Sequence, residues 1–113
     1  MESKSVVTAL AALAQESRLA VFRLLIQAGP EGLSAGRVAE ALGIAPSSLS
    51  FHLKELAHAG LVRSRQESRY VIYSANFEVM NELIGFLTEN CCRGAPCTTS
   101  TPLRCTTNQE TAE

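Results

Sequence analysis

Pro46-Ser47-Ser48-Leu49-Ser50-Phe51-His52-Leu53-Lys54-Glu55-Leu56, followed by Ala59-Gly60-Leu61-Val62, is the most informative stretch of this chain. Proline is well suited to a first helical position, because the N–H it lacks would have no partner there anyway. Leu49, Leu53 and Leu56 then fall on one face at helical spacing. Gly60 supplies the residue that most easily leaves a helix through the left-handed region. The other face carries Ser47, Ser48, Ser50, Phe51 and Lys54, a mostly short, polar row that no core would want.

Upstream, Ser34 is a good cap for a helix over 35–42, with Val38 and Leu42 inward and Gly43 ending it. Two helices separated by a tight glycine-containing turn form a helix-turn-helix. A longer helix over 16–28 carries Leu19, Phe22, Leu25 and Ile26 and stops at Gly29-Pro30. Before it, Val6, Leu10 and Leu13 mark a helix over 5–14. Downstream, Leu61–Gln66 and Arg69–Ser74, joined by Glu67-Ser68, read as a two-stranded hairpin, because Tyr70-Val71-Ile72-Tyr73 is β-branched and aromatic. A last helix over 76–90 carries Phe77, Met80, Leu83, Ile84 and Leu87. The predicted fold is mainly α: a winged helix-turn-helix whose wing is a two-stranded β-hairpin. Residues 1–90 form one domain, and 91–113, rich in Thr and poor in apolar residues, form a flexible cysteine-containing tail.

A chain of 113 residues buries only a small core, so self-association would help it. The stripes of the first and last helices have no other obvious cover, and a homodimer through them is expected. No apolar run approaches a membrane span, the N-terminus is no convincing signal peptide, and no membrane partner is expected, which points to the cytoplasm. Enzyme chemistry is poorly supplied. There is no Asp, there are only two His, and the thiols lack the Cys-x-x-Cys spacing of disulfide oxidoreductases.

The order of elements, with Ser47–Leu56 leading into Ala59-Gly60-Leu61-Val62 and with Leu33-Ser34 and Val38-Ala39-Glu40 in the supporting helix, resembles the ArsR/SmtB family of metalloregulatory repressors over about residues 5–90. That resemblance implies a homodimer that covers double-stranded operator DNA and releases it when a soft metal or metalloid binds. It does not carry over the family's best-known inducer sites. Helix 35–42 has no Cys, and the last helix has neither His nor Asp. The end, Asn90-Cys91-Cys92-Arg93-Gly94-Ala95-Pro96-Cys97, instead resembles a subgroup with a C-terminal cysteine cluster that senses trivalent arsenic.

For DNA, the candidate contacts are Ser47, Ser48, Ser50, Phe51, His52 and Lys54 on the recognition helix, where the N-terminal end usually meets base edges. Phe51 could touch a thymine methyl. His52 serves either DNA or the interior of the motif. Arg63, Arg65 and Arg69 of the wing complete the set. Residues 46–74 hold four basic side chains against two acidic ones, within a chain of net charge −1. That local excess suits phosphate contacts. A winged helix used only for protein contacts is the rival, and salt-dependent DNA binding separates the two.

All four cysteines lie at or beyond position 91. In a reducing compartment, clustered thiols favour metal or redox chemistry over structural disulfides. Cys91, Cys92 and Cys97 are the candidate ligands, with Gly94 and Pro96 turning the chain back. Thiolates suit arsenic, antimony, cadmium and copper(I) alike. Trivalent arsenic or antimony is the inducer expected, with Cys105 a candidate further ligand and no organic cofactor implied. Two other readings stay open: Cys91 extends the apolar stripe of the last helix, or the cluster is a thiol-redox switch.

Overall fold

The structure, a computed structural model, describes residues 1–94. It runs α1 (Ser3–Leu13), α2 (Glu16–Ala28), β1 (Leu33–Ser34), α3 (Ala35–Leu42), α4 (Pro46–His58), β2 (Val62–Glu67), β3 (Tyr70–Ala75), α5 (Phe77–Leu87) and a 3₁₀ turn (Cys91–Gly94). Cys97 and Cys105 lie outside the described residues.

Local chemistry sets most of the ends. Gln15 Oε1 accepts from Arg18 N (2.8 Å) at the start of α2, and Ser34 Oγ accepts from Arg37 N (3.3 Å) at the start of α3. Such caps satisfy N–H groups that the first turn leaves open. Gly43, left-handed at φ 65°, ends α3, and Pro46 opens α4. Gly60 ends α4 at φ 81°, with Gly60 N bonded to Ala57 O (3.0 Å) and Leu61 N to Leu56 O (2.9 Å). This pair of bonds is the Schellman arrangement, accompanied by its usual apolar contact, since Leu56 and Leu61 are both fully buried.

The core is one cluster. Leu49, Leu53 and Leu56 of α4 pack with Val21, Phe22 and Leu25 of α2, Val38 of α3, Val6 and Ala9 of α1, and Leu83 of α5. The helix-turn-helix is therefore held by its leucine row, and its opposite face is left outside.

The expected two-stranded wing, β2 with β3, is present, and β1 joins it as a third strand in the order β1-β3-β2. Leu33 and Ser34 pair antiparallel with Tyr73 and Ile72. Two residues cannot display an alternating pattern, so only the tertiary fold reveals this strand. Other expectations are corrected. The hairpin turn lies at Ser68-Arg69, one residue later than expected. Ser68 takes the left-handed position (φ 58°), and Leu61 is withheld from the strand by its bond to Leu56 O.

In α1, the expected stripe of Val6, Leu10 and Leu13 is split. Val6 and Ala9 are buried, Leu13 is half-buried and Leu10 is exposed. Leu83 and much of the α5 stripe are likewise covered within the protomer, leaving Leu87 outside. Finally, α5 stops at Leu87 rather than at Asn90, and Thr88 Oγ1 donates back to Ile84 O (2.8 Å). Asn90 then turns left-handed (φ 57°), so Cys91 does not continue the helical stripe.

Candidate nucleic-acid interface and thiol pair

Because Leu49, Leu53 and Leu56 point into the core, the residues between them point out. Ser47, Ser48, Ser50, Phe51 and Lys54 are all exposed, Phe51 by 56%. His52 differs from the rest. It is half-buried, its Nδ1 is buried with no hydrogen-bond partner among the described residues, and its ring meets the Phe51 ring edge-on at 5.9 Å. One of its two ring nitrogens therefore faces the protein, not the exposed surface.

The three wing arginines are not equivalent. Arg63 Nη2 reaches Glu78 Oε1 of α5 (3.1 Å). Arg65 donates from Nε to Glu67 Oε2 (2.8 Å) and from Nη2 to the Glu31 carbonyl (2.7 Å), bracing the wing against the segment before β1. Arg69, at the exposed turn, has no hydrogen bond or ion pair among the described residues. Beside it stands Tyr70, 62% exposed, which sequence reasoning did not single out as a candidate contact. Its position just after a two-residue turn was the available signal. Gln66 Nε2 donates to Ser68 O (3.1 Å) and steadies that turn.

At the far end of α5, Cys91 and Cys92 are both exposed, with their sulfurs 3.6 Å apart. The backbone is left-handed at Cys92 and Arg93 (φ 56° and 58°). Thiolates bonded to one ion at about 2.3 Å, the zinc–sulfur value, sit about 3.3–3.8 Å apart for angles between a right angle and a tetrahedral one. A disulfide requires about 2.05 Å. At 3.6 Å the two sulfurs are within thiol hydrogen-bonding distance and are not joined in a disulfide. Among the described residues no set of three His, Cys, Asp or Glu side chains is placed to hold a metal. The third expected ligand, Cys97, lies outside them.

Residues 13–65 match the profile of a helix-turn-helix domain family. The chain is 47% identical over 58 residues to the uncharacterized HTH-type transcriptional regulator YceK of Bacillus subtilis, covering 51% of this chain and 57% of that protein. It thus spans less than two thirds of that relative. It is 31% identical over 78 residues to the HTH-type transcriptional regulator YgaV of Escherichia coli, covering 69% of this chain and 77% of that one. Among solved structures, an ArsR-like transcriptional regulator from Rhodococcus superimposes with a TM-score of 0.70 at 25% identity, over 80% of this chain and 83% of that one. The helix-turn-helix, the sheet behind it and the extent of the match to the E. coli regulator agree: the chain belongs to the ArsR/SmtB family of winged helix-turn-helix transcriptional regulators.

Proposed function

We propose that this chain is a repressor that binds operator DNA as a homodimer and is released when trivalent arsenic or antimony binds its C-terminal cysteines. The observation that carries the sensing half is the exposed Cys91–Cys92 pair with sulfurs 3.6 Å apart. Arsenous acid exchanges one hydroxyl for each thiol, forming an As–S bond and releasing one water. Two such exchanges close a ring on Cys91 and Cys92, and a third engages Cys97. Methylarsenite, whose methyl group stays on arsenic, needs only the first two. The test is fluorescence anisotropy of labelled upstream DNA, titrated separately with arsenite, methylarsenite and antimonite. Release by none of them would reject the assignment. The same sulfur proximity favours one second reading, a thiol-redox switch. Release by a mild oxidant, reversed by dithiothreitol and absent with arsenite, would select it.

The DNA half is supported by the outward row of α4 and by the wing. Arg63 and Arg65 are engaged within the protein, so Arg69 is the arginine best placed for a phosphate. Arg69→Ala is expected to weaken binding to all sequences and to reduce the slope of log affinity against log salt by about 0.9, the contribution of one phosphate contact. Phe51→Ala should leave that slope alone and change which duplexes a random pool yields. An unchanged slope for Arg69→Ala would remove the wing tip from the backbone contact.

Dimerisation is supported by apolar side chains that the protomer leaves open: Val7 at 64% and Leu10 on α1, and Leu87 at 58% on α5. Covering them would bury surface at about 25 cal/mol per Å². Leu87→Glu is expected to shift the protein from dimer to monomer in sedimentation velocity at micromolar concentration and to abolish tight operator binding. Among the described residues no helix is long and apolar enough to cross a membrane.

A further inference from the structure

The helix that leads to the thiol pair is fastened to the body at its opposite end. Along α5 only Leu83 is fully buried. At its N-terminus, Asn76 accepts the helical bond from Met80 N at its carbonyl and makes three further bonds. Its Oδ1 accepts from Val79 N (3.2 Å) and caps α5. Its Nδ2 donates to the Gly60 carbonyl (3.1 Å), and its backbone N donates to the Leu61 carbonyl (2.8 Å). Gly60 and Leu61 are the two residues whose own N–H groups close the C-terminal cap of α4. The end of the recognition helix and the start of α5 are therefore one hydrogen-bonded knot, tied by one side-chain bond and one backbone bond.

The backbone bond prolongs the β2–β3 ladder beyond the Val62–Ala75 pair, while Phe77, Val79, Met80 and Phe86 rest on the core. The Nδ2 bond adds a side-chain tie to the neighbouring carbonyl. The nearby Arg63–Glu78 pair is exposed at both ends, and such pairs restrain little. The α5 rod is about 16 Å long at 1.5 Å per residue. It has the sulfurs beyond one end and Asn76 at the other.

We infer that Asn76 is the positioning residue that carries movement of the thiol-bearing end of α5 to the recognition helix α4. The inference rests on the reading that thiol ligation releases DNA. Ligation draws in the chain beyond Leu87, α5 tilts over Leu83, and Asn76 drags the Gly60 carbonyl, and with it the end of α4, out of register with the groove.

Asn76→Ser and Asn76→Asp separate this role from capping. Both retain an oxygen for the Val79 N–H, because Ser and Asp are good caps, and both retain the backbone bond to Leu61. Ionised Asp has no proton to give the Gly60 carbonyl, and Ser lacks the longer amide N–H that reaches it. The full chain would be tested on a duplex selected from a random pool by the wild type, with and without sodium arsenite. Melting temperature and thiol accessibility would be followed in parallel. Both variants are expected to bind DNA within about threefold of wild type and to protect their thiols with arsenite as wild type does. Their arsenite-induced rise in Kd should fall at least about fivefold, against couplings that typically span about 5–150-fold. Variants that keep the full rise, or that lose stability and DNA affinity in parallel while keeping it, overturn the role of Asn76. A wild type whose DNA affinity ignores arsenite overturns the sensing reading instead.

Discussion

Cys91→Ser and Cys92→Ser are each expected to bind DNA as the wild type does and to lose release by arsenite. The two sulfurs are exposed and lie beyond the end of α5, away from the leucine core and from the outward row of α4. Replacing one should therefore cost little stability, since surface changes of this kind usually stay within about 0.5 kcal/mol. Serine keeps the shape and removes the soft donor that a thiophilic ion needs. The rise in Kd on adding arsenite, about 5–150-fold for typical couplings of 1–3 kcal/mol, should drop to none. Coupling is reciprocal, so operator DNA must weaken arsenite binding to the wild type by the same factor. Cys97→Ser should lose the arsenite response but retain that to methylarsenite, which needs two thiols. Cys105→Ser should matter least. A Cys91/Cys92 double variant that still leaves DNA on arsenite addition would sink the assignment.

Gly32→Ala is expected to be the most damaging single methyl that can be added to this protein. Gly32 sits at φ +74°, and a Cβ there would collide with the Tyr73 carbonyl oxygen and crowd Ile72 Cγ2 at 3.1 Å. Those are the residues that pair with Leu33 and Ser34. Ser34 also caps α3, so the collision loosens the sheet and the helix-turn-helix together. Left-handed strain of about 1–2 kcal/mol, plus overpacking of about 1–3 kcal/mol, gives roughly 2–5 kcal/mol. For a domain of this size that lowers the melting temperature by about 10–30 °C. Gly43→Ala is the control, because Gly43 is left-handed (φ 65°, ψ 35°) but has open space where the Cβ would go. It should cost the strain alone. Thermal unfolding at one fixed protein concentration compares the two. Equal melting points would mean that the close approach of Gly32 to β3 does not hold the sheet.

What could be read in the chain was what depends on near neighbours. Helices show their period and their caps within a few residues. Glu16–Ala28, Ala35–Leu42, Ser34, Pro46 and Gly60 were therefore visible before any fold was known. The outward row of α4 followed from the inward leucines, and Phe51 stands outside as that spacing requires. The cysteine pair was visible as composition.

The rest depends on residues distant in sequence. Strand β1 exists because Gly32 lets one backbone lie against another some forty positions on. Arg63 and Arg65 reach Glu78 and the Glu31 carbonyl, partners 15 and 34 residues away that sequence spacing does not announce. Ala9 rather than Leu10 is buried because the orientation of α1 against α2 and α4 is set by the whole core. The 3.6 Å between the sulfurs depends on where α5 unwinds, and on left-handed backbone at Asn90, which suits Asn, and at Cys92 and Arg93, whose residue types do not announce it. Propensity and capping act within a turn or two of helix. Which surfaces meet is a property of the packed chain, and here it selects the arginine left at the wing tip and the asparagine that joins the two helices.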